Sequence, residues 1–428
     1  MATVTVSAAT DWSASASAAI AAAVSAAGTD GTVVFPPGLY RITEPIVPLA
    51  GQTLRGTSYA TTTLRVDFSQ IANFPGMSVI RKNESSGVCL NPDVTVEHLC
   101  IDGGRSQCGL PNYATDPVTC PYGAAGGVSL GVRWLVSQCR ITNVNGPKTG
   151  CFGAHGSRIE YCRWDNDGGG TGGDQDNIGG GGVVGLELVG NVFAENCAGS
   201  GIDITTGADV LIENNVVGFR SVIIEGIQGA VIRGNLLNRS TQDSDAGGIN
   251  VKSNTAYASA QQAGAWCSTD VLVEGNVVFN SASPAIIVSS TWDDKGPGDA
   301  LDAGRYGKAK GITIRGNMIV SPYGLGIYLG GQDRAREAGH AKVYDNLIVD
   351  PRQATAGLGD EWNSGSGYFT LAGIGLGSGD GVVIGRNTVV RTTTGTPLPD
   401  AVVLNGARGG SQTARSTRLG AATLLDLA

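Results

Sequence analysis

The sequence contains no basic cluster and no long apolar run. Its 428 residues include 29 Lys and Arg against 37 Asp and Glu, which gives a net charge of −8 at neutral pH. Because nucleic acids and anionic lipid surfaces select basic patches, neither is expected as a partner. The apolar stretches fall short of the roughly 18 residues that a membrane span requires, so no membrane association is expected.

Signals for metal binding and secretion are equally scarce. There are 3 histidines and 9 cysteines, without a CxxC pair or a His/Cys cluster of zinc spacing. The odd cysteine count leaves at least one thiol unpaired within the chain. The opening residues, MATVTVSAATDWSASAS, lack the charged segment of a secretory signal, although a trimmed signal would leave the same pattern. Neither a structural zinc site nor a visible leader is therefore predicted.

Glycine is abundant instead. It supplies 66 residues, while charged residues make up 15% and aromatic residues 6%. From about residue 90 onward, short Val- and Ile-rich runs alternate with Gly- and Asn-rich turns, as in GLELVGNVF, VLIENNVVG and AVIRGNLLN. A repeat of 20 to 29 residues is typical of an all-β solenoid, in which each coil stacks about 4.8 Å from the previous one.

One turn position recurs through ten repeats. Side chains at the same position of successive coils form a ladder, and an interior Asn can hydrogen-bond along it. Cysteines at this position in the early repeats are then predicted to be buried and inert instead of catalytic. The predicted ladder consists of Cys100, Cys139, Cys162, Asn191, Asn215, Asn235, Asn276, Asn317, Asn346 and Asn387.

The N-terminal segment predicts a cap. DWSASASAAIAAAVSAAG predicts an Ala-rich helix with an Asp or Ser N-cap that ends at Gly28. GTVVFPPGLYRI then predicts a strand, a turn and a second strand. This opening, followed by stacked GN coils, resembles the pectin-lyase-like superfamily of right-handed parallel β-helix proteins. Its members include polygalacturonases, pectate lyases, inulin fructotransferases, uronate epimerases and phage tailspike depolymerases.

The resemblance implies an all-β, single-stranded right-handed parallel β-helix of about ten rungs with an N-terminal capping helix. It also implies a poly- or oligosaccharide substrate, a secreted or extracellular location, no cofactor, and homotrimerisation as one form of assembly. The expected organisation is a cap over 1–45, a β-helix over 46–410 with inserts near 255–269, 290–310 and 351–370, and a tail or cap over 411–428.

Two carboxylates lie on related strands. GSGIDITTG and SVIIEGIQG place Asp203 and Glu225 beside apolar residues, and strand alternation predicts that both acids point outward. Counted from the ladder, their backbones lie about 8 Å apart, or about 5 Å if a bulge shifts the frame. Narrow pairs suit a retaining glycosidase and wider pairs an inverting one, so Asp203 and Glu225 are the leading catalytic candidates.

A glycine-rich acidic loop, RWDNDGGGTGGDQDNIGGGG, precedes the first of these strands. Asp174 and Asp176 are predicted as further catalytic carboxylates, since glycines let a ligand approach the backbone closely. Asp165 and Asp167 are predicted to bind substrate. Polygalacturonases carry three clustered aspartates on this face, although their double-Asp motif is absent here. The Asp-x-Asp pairs also offer oxygen ligands for calcium.

Lys252 supports a different class of reaction. AGGINVKSN places Lys252 level with Glu225 one coil further on, with Asn250 as a substrate-binding candidate. Polysaccharide lyases and epimerases abstract a proton next to a uronate carboxylate, often with a Lys or Arg base. Lys252 would then be the base and Arg233 a nearby cation. A salt bridge between Lys252 and Glu225 is the structural alternative.

Three aromatic residues, Trp266, Trp292 and Tyr328, are candidate platforms for sugar rings, because long loops of solenoids concentrate binding residues. Each can equally anchor loop packing. Combined, these patterns predict a carbohydrate-active enzyme that cleaves or transfers glycosidic bonds through paired outward carboxylates. A lyase or epimerase that uses Lys252, and a non-catalytic carbohydrate-binding or tail-fibre solenoid, are the alternatives.

Overall fold

A computed structural model gives the fold, and the chain divides into two compact units, Met1–Ile204 and Thr205–Ala428. Both units are built from the same coil of short parallel strands. The residues that the structure describes are 1–7, 14–67, 69–70, 78–104, 126–144, 149–165, 176–194, 200–218, 221–238, 248–252, 268–281, 284–289, 309–322, 325–329, 338–351, 372–376, 379–380, 382–390, 392, 400–404, 415–419 and 422–426.

The elements of the first unit follow one another in short steps. In chain order they are β1 (Thr3–Thr5), α1 (Ser17–Ala27), β2 (Thr32–Phe35), β3 (Gly38–Ile42), β4 (Thr53–Gly56), β5 (Thr62–Val66), β6 (Ser78–Arg81), β7 (Glu84–Ser85), β8 (Val88–Cys89), β9 (Thr95–Glu97), β10 (Cys100–Asp102), β11 (Gly126–Ser129), β12 (Leu135–Ser137), β13 (Arg140–Thr142), β14 (Thr149–Gly150), β15 (Arg158–Glu160), β16 (Arg163–Asp165), β17 (Ile178–Val184), β18 (Glu187–Val189), β19 (Val192–Phe193) and β20 (Ile202–Glu213), which contains the division.

The second unit repeats the pattern. Its further elements are β21 (Val216–Val217), β22 (Val222–Arg233), β23 (Leu236–Asn238), β24 (Ile249–Lys252), β25 (Leu272–Glu274), β26 (Val277–Phe279), β27 (Ile286–Ser289), β28 (Thr313–Arg315), β29 (Met318–Val320), β30 (Leu325–Leu329), β31 (Ala338–Gly339), β32 (Lys342–Tyr344), β33 (Leu347–Val349), β34 (Ala372–Leu376), β35 (Gly379–Asp380), β36 (Val383–Gly385), β37 (Asn387–Val390), β38 (Asp400–Leu404), β39 (Arg415–Leu419) and β40 (Ala422–Asp426).

The strands stack in three parallel rows. In the first unit, the first row is β6, β11, β14 and β17. The second row is β1, β2, β4, β9, β12, β15 and β18. The third row is β3, β5, β10, β13, β16 and β19.

In the second unit, the first row is the start of β22 with β24, β27, β30, β34 and β38. The second row is the end of β22 with β25, β28, β32 and β36. The third row is β21, β23, β26, β29, β33 and β37. Three parallel rows of this kind are the right-handed β-helix that the sequence predicts, and the predicted fold class is confirmed.

Alternation along each strand builds the core. In β5 the first, third and fifth residues are buried while the second and fourth are only partly so. Stacking repeats the inward position from strand to strand, and each of these side chains contributes about 1.5–3 kcal/mol by leaving water. One inward ladder of the third row is Tyr40, Leu64, Ile101, Ile141, Trp164 and Phe193, each at most 1% exposed.

Helix α1 packs one apolar stripe against the first unit. Ile20, Ala23, Val24 and Ala27 are buried, at the spacing of one helix face. The expected Asp or Ser N-cap is wrong, because Ala16 occupies that position without a side-chain cap.

The carboxyl end of α1 finds partners instead. Gln52 Nε2 donates to Val24 O and to Gly28 O, both at 2.7 Å, and Gly28 ends the helix with a φ of 67°. A fully buried glutamine therefore satisfies carbonyls that the helix itself leaves open.

The predicted Asn ladder is confirmed in the second unit. Each Asn donates both its backbone N–H and its Nδ2 to Oδ1 of the next, at 2.8–3.1 Å. All members are at most 1% exposed. The row is Asn215, Asn235, Asn276, Asn317, Asn346 and Asn387.

In the first unit, Cys139 and Cys162 take the same position with buried thiols, and Cys162 N donates to Asn191 Oδ1 at 3.0 Å. The prediction for Cys100 is wrong by one residue. Arg140 N bonds Leu99 O in the way that Arg163 N bonds Cys139 O, so Leu99 is the ladder residue.

Cys100 instead lies in the third row beside Thr63 and Arg140. Burial raises the pKa of this thiol to about 11, as expected of an inert cysteine.

The end of the chain adds an antiparallel pair. Within the predicted tail or cap, β39 pairs with β40, and β40 pairs with β37. The three predicted inserts lie almost entirely outside the described residues. No helix in the part of the chain that the structure describes is long and apolar enough to cross a membrane.

Candidate active site

Asp203 lies on the outer side of the first row. It is the second residue of β20, and it is only partly buried although Ile202 and Ile204 on either side are fully buried. This is the burial pattern of a strand residue that points away from the core. The carboxylate is thereby held on the outer side of the strand by two buried neighbours.

Asp176 lies close to the same strand. Its Oδ1 accepts the backbone N–H of Ser200 at 2.8 Å, three residues before Asp203. A Cβ added to Gly179 would lie 3.3 Å from Asp176 Oδ2, so the carboxylate lies against a bare backbone. A larger residue at 179 would have to displace it, which is a physical reason for glycine at this point.

The bare surface continues along the first row. Gly179 pairs with Gly150, which pairs with Ser129, which pairs with Arg81. Two glycines and a serine therefore lie in line on three consecutive strands, with steps of about 4.8 Å. Gly179 and Gly150 are themselves buried, so this line is a strip with little side-chain cover beside Asp176, and Arg81 lies at its far end.

Glu225 and Lys252 form an ion pair in the first row of the second unit. The two residues face each other across β22 and β24, with Nζ 3.2 Å from Oε1. Their side chains are only 12% and 4% exposed. Because an uncompensated buried charge is costly, each group stabilises the charged form of the other.

Polar groups surround this ion pair. Asn250, which is 1% exposed, pairs with Ile223 on the neighbouring strand. Ser268 Oγ donates to Lys252 O and accepts the N–H of Ile227 at 3.3 Å. The sequence prediction that Lys252 lies level with Glu225 is correct, and so is the alternative that the two form a salt bridge.

Comparison with known proteins relates this geometry to a fold. A family model described as rhamnogalacturonase A/epimerase, pectate lyase-like, matches residues 3–146. The Streptococcus pneumoniae surface protein and adhesin PfbA is similar over 94% of this chain and 100% of its own, with 16% identity and a TM-score of 0.65. No curated protein sequence matches the chain.

Two further solved structures are enzymes. The Yersinia enterocolitica family 28 exopolygalacturonase matches 95% of this chain and 78% of its own, at 12% identity and a TM-score of 0.64. The Aspergillus tubingensis endo-xylogalacturonan hydrolase matches 95% and 100%, at 16% identity and a TM-score of 0.54. The chain has the right-handed parallel β-helix fold of these structures.

Within this β-helix, Tyr328 is not an open platform. It is 6% exposed and packs with Ile287 and Leu325 in a buried apolar cluster. Tyr328 and Ile287 continue the line of Ile223 and Asn250 along the first row. The outer side of these strands is therefore covered, which the alternation of the sequence does not reveal.

Arg233 is paired elsewhere. It lies at the far end of β22, in the second row, where its Nε donates to Glu213 Oε1 at 2.6 Å. Glu225 and Lys252 lie at the other end of β22 in the first row. The structure thus brings Lys252 together with Glu225 and places Arg233 in a surface ion pair.

Asp165 also lies apart from Asp176. It ends β16 in the third row, where Arg140 and Arg163 both bind it. Burial acts to raise the pKa of this carboxyl, but hydrogen bonds from Arg163, Arg140 and Thr142 outweigh it and lower the pKa below its ordinary value. An ionised and enclosed Asp165 is an anchor for arginines, and it does not share a row with Asp176.

The remaining candidates, Asp167, Asp174, Trp266 and Trp292, lie outside the described residues. Asp203 belongs to the first unit and Glu225 to the second, so their pairing stays a prediction. No group of three or more His, Cys, Asp or Glu within the described ranges is arranged to hold a metal ion. The calcium alternative rested on the aspartates of residues 165–176, and of these Asp165 is committed to arginines.

Sequence reasoning missed Phe152 and Lys82. Phe152 is 61% exposed and follows the Gly150 end of β14, while Lys82 Nζ bonds Phe152 O at 2.6 Å and Glu84 at 2.6 Å. An exposed aromatic ring beside a strip of bare backbone is a common surface for a sugar ring. The signal available in the sequence is the Phe-Gly step directly after a strand, which is too short to stand out.

Proposed function

We propose that this β-helix is a carbohydrate-active enzyme that cleaves or transfers glycosidic bonds with carboxylates on the outer side of the first row. The observation that supports it most is Asp176, fixed by the Ser200 N–H and lying against bare Gly179, just before the strand that carries Asp203. Both carboxylates belong to the first unit. Solved structures of similar fold include two that are named as glycan hydrolases.

In this proposal Asp203 donates the proton to the leaving oxygen. Asp176 is the partner that stays ionised, because a donated N–H stabilises a carboxylate. It activates water, or the acceptor sugar in a transfer reaction. The strip of Gly179, Gly150 and Ser129 lets a glycan lie flat on the strands.

Glu225 and Lys252 take a different role. Glu225 is compensated by the Lys252 ammonium and its side chain is only 12% exposed, so it suits proton transfer less well than Asp203 or Asp176. The same contact weighs against the lyase alternative. A general base has to be unprotonated, and a carboxylate at 3.2 Å holds the ammonium in its charged form.

The test is product analysis over neutral and uronate polysaccharides. Asp203→Asn and Asp176→Asn are each expected to lower turnover by about 10²-fold or more, since each removes a proton-transferring group. Glu213→Gln is the matched control, because it changes a surface carboxylate at the other end of β20, the strand that carries Asp203. It should keep full turnover.

The outcomes separate the alternatives. New reducing ends or a transfer product that both Asp variants abolish would support the proposal. Unsaturated products that absorb in the ultraviolet and depend on Lys252 would favour a lyase. Full turnover in both Asp variants would contradict the proposal, and binding without any product would favour a non-catalytic solenoid.

A further inference from the structure

Two pairs of arginines lie on the outer side of the third row, away from the proposed active site, with β10 between them. Arg41 pairs with Arg65 on adjacent strands, and Arg140 pairs with Arg163. Like charges that face each other on neighbouring strands cost stability. In a chain of net charge −8, four cations on one face of the first unit therefore call for a physical explanation.

Each arginine is held by a carboxylate that lies deeper. Arg41 Nε donates to Asp67 at 2.9 Å, and Arg65 Nε donates to Asp102 at 2.7 Å. The Asp67 and Asp102 side chains are 7% and 5% exposed, against 22% and 38% for their arginines. The negative charge is therefore enclosed and the positive charge faces outward.

The pairing of one arginine with one carboxylate does not hold for Arg140 and Arg163, which share a single carboxylate. Arg140 Nε lies 3.1 Å from both oxygens of Asp165, and Arg163 Nε donates to Oδ2 at 2.8 Å. Asp165 is 11% exposed, whereas the two arginines are 41% and 48% exposed. Two cations against one buried anion leave a net positive charge on the outer surface.

Asp165 uses only part of the N–H donors of the two guanidinium groups. Within the described part of the chain, Arg163 hydrogen-bonds Asp165 through Nε alone, and Arg140 uses Nε and Nη2. Their backbones are one strand apart, about 4.8 Å, so two planar donor groups lie side by side.

We propose that Arg140 and Arg163 form an anion-binding site for an acidic glycan, with Asp165 as the buried residue that positions both guanidinium groups. The recognised chemistry is a carboxylate or a sulfate ester, which accepts paired N–H donors. Duplex DNA suits this face less, because the rest of the chain is acidic.

The test is glycan binding in an Asp203→Asn background, so that turnover does not consume the probe and failure of the proposed reaction does not affect the readout. The probes are oligogalacturonate, a sulfated dextran, neutral dextran and duplex DNA. Arg163→Gln removes one guanidinium and leaves Asp165 paired with Arg140. It is expected to weaken acidic-glycan binding by about tenfold or more, the effect of losing charge-assisted hydrogen bonds.

Arg133→Gln is the matched control. Arg133 forms a one-to-one surface pair with Asp93, with contacts of 2.6 and 2.7 Å, so it removes the same charge from the same unit. It should change affinity by less than about twofold. If Arg163→Gln lowers the melting temperature, Arg163→Lys keeps the charge and loses only the planar donor geometry.

Each outcome decides a point. Arg163-dependent binding of oligogalacturonate alone identifies a carboxylate site, and binding of sulfated dextran alone identifies a sulfate site. Both results support the proposal. Equal losses in Arg163→Gln and Arg133→Gln, binding of neutral dextran with the same Arg163 dependence, or tighter Arg163-dependent binding of DNA would overturn it, as would no binding of any acidic glycan.

Discussion

A left-handed residue stands before each ladder position. Its φ lies between 51° and 65° in both units. This conformation costs an L-residue about 1–2 kcal/mol, whereas glycine adopts it freely. The residues are His98, Gln138, Tyr161 and Gly190 in the first unit, and Asn214, Gly234, Gly275, Gly316, Asp345 and Arg386 in the second.

Gly275→Ala tests this backbone cost alone. Gly275 has a φ of 61°, and an added Cβ would meet no atom within 4 Å. The free energy of unfolding is expected to fall by about 1 kcal/mol, measured by urea denaturation. Gly385→Ala is the control, since its site is equally open but its φ is not positive. Equal losses at both sites would contradict the explanation.

The left-handed residue before the ladder position also explains why the sequence predicted the wrong ladder residue in one repeat. The pattern EHLCIDG offers two frames, and cysteines at neighbouring repeats favoured Cys100. The left-handed His98 places Leu99 in the ladder instead. A positive φ at a non-glycine residue leaves little trace in composition, whereas the GN steps of the second unit, such as Gly275 before Asn276, marked the correct frame.

The stacked Asn turns hold consecutive coils together at the scale of the element. Asn276 accepts the backbone N–H and Nδ2 of Asn235, and donates its own Nδ2 to Ile232 O and Asn317 Oδ1. These groups are buried, so each lost partner costs about 1–3 kcal/mol. The turn is thereby fixed by side chains and not by backbone hydrogen bonds alone.

Asn276→Ala is therefore expected to lower the free energy of unfolding by at least about 2 kcal/mol in urea denaturation. Asn238→Ala provides the control, because Asn238 lies in β23 outside the ladder and is only half-buried. The control should stay within about 0.5 kcal/mol of wild type. A loss in Asn238→Ala as large as that in Asn276→Ala would argue against a stabilising ladder.

Counting from the ladder predicted register well where coils are short. The position of Lys252 beside Glu225 follows from the Asn spacing and is confirmed. The same counting puts Asp165 three residues after Cys162, in a third-row strand, but it could not show that two arginines bind this carboxylate, because that depends on side-chain directions. The burial of Tyr328 could not be predicted either, because it depends on which residues cover the outer side of β30.

At the scale of the whole molecule, buried ion pairs make the first unit sensitive to acid. Burial acts to raise the pKa of Asp67, but hydrogen bonds from Arg41 and Ser69 outweigh it, and the pKa of Asp165 is lowered in the same way. A lowered folded pKa stabilises the fold above the unfolded pKa of about 3.9. That contribution is lost as the pH falls through the folded value.

Asp165→Asn should accordingly cost stability near pH 7, and the difference from wild type should shrink as the pH falls below about 4. Urea denaturation across this range measures both. Asp209→Asn, at an exposed position of β20, is expected to follow wild type throughout. A difference between Asp165→Asn and wild type that stayed constant with pH would show that the ion pairs do not carry the acid dependence.

Periodicity from about residue 90 onward predicted an all-β solenoid, because a stacked coil repeats its own pattern, and the family resemblance supplied the right-handed β-helix. The division near residue 204 has no counterpart in composition. The long inserts carry no repeat, so Trp266 and Trp292 could be nominated from residue type but not located.

The Asn ladder of the second unit has a direction. In the bonds between its side chains, each amide from Asn215 to Asn346 donates to the oxygen of the next, higher-numbered coil. The small dipoles therefore add head to tail and polarise one another. Such a row has two different ends. A whole coil of this row can therefore be deleted or inserted without a mismatch of hydrogen-bond donor and acceptor only when both of the joined turns carry an asparagine in the same orientation.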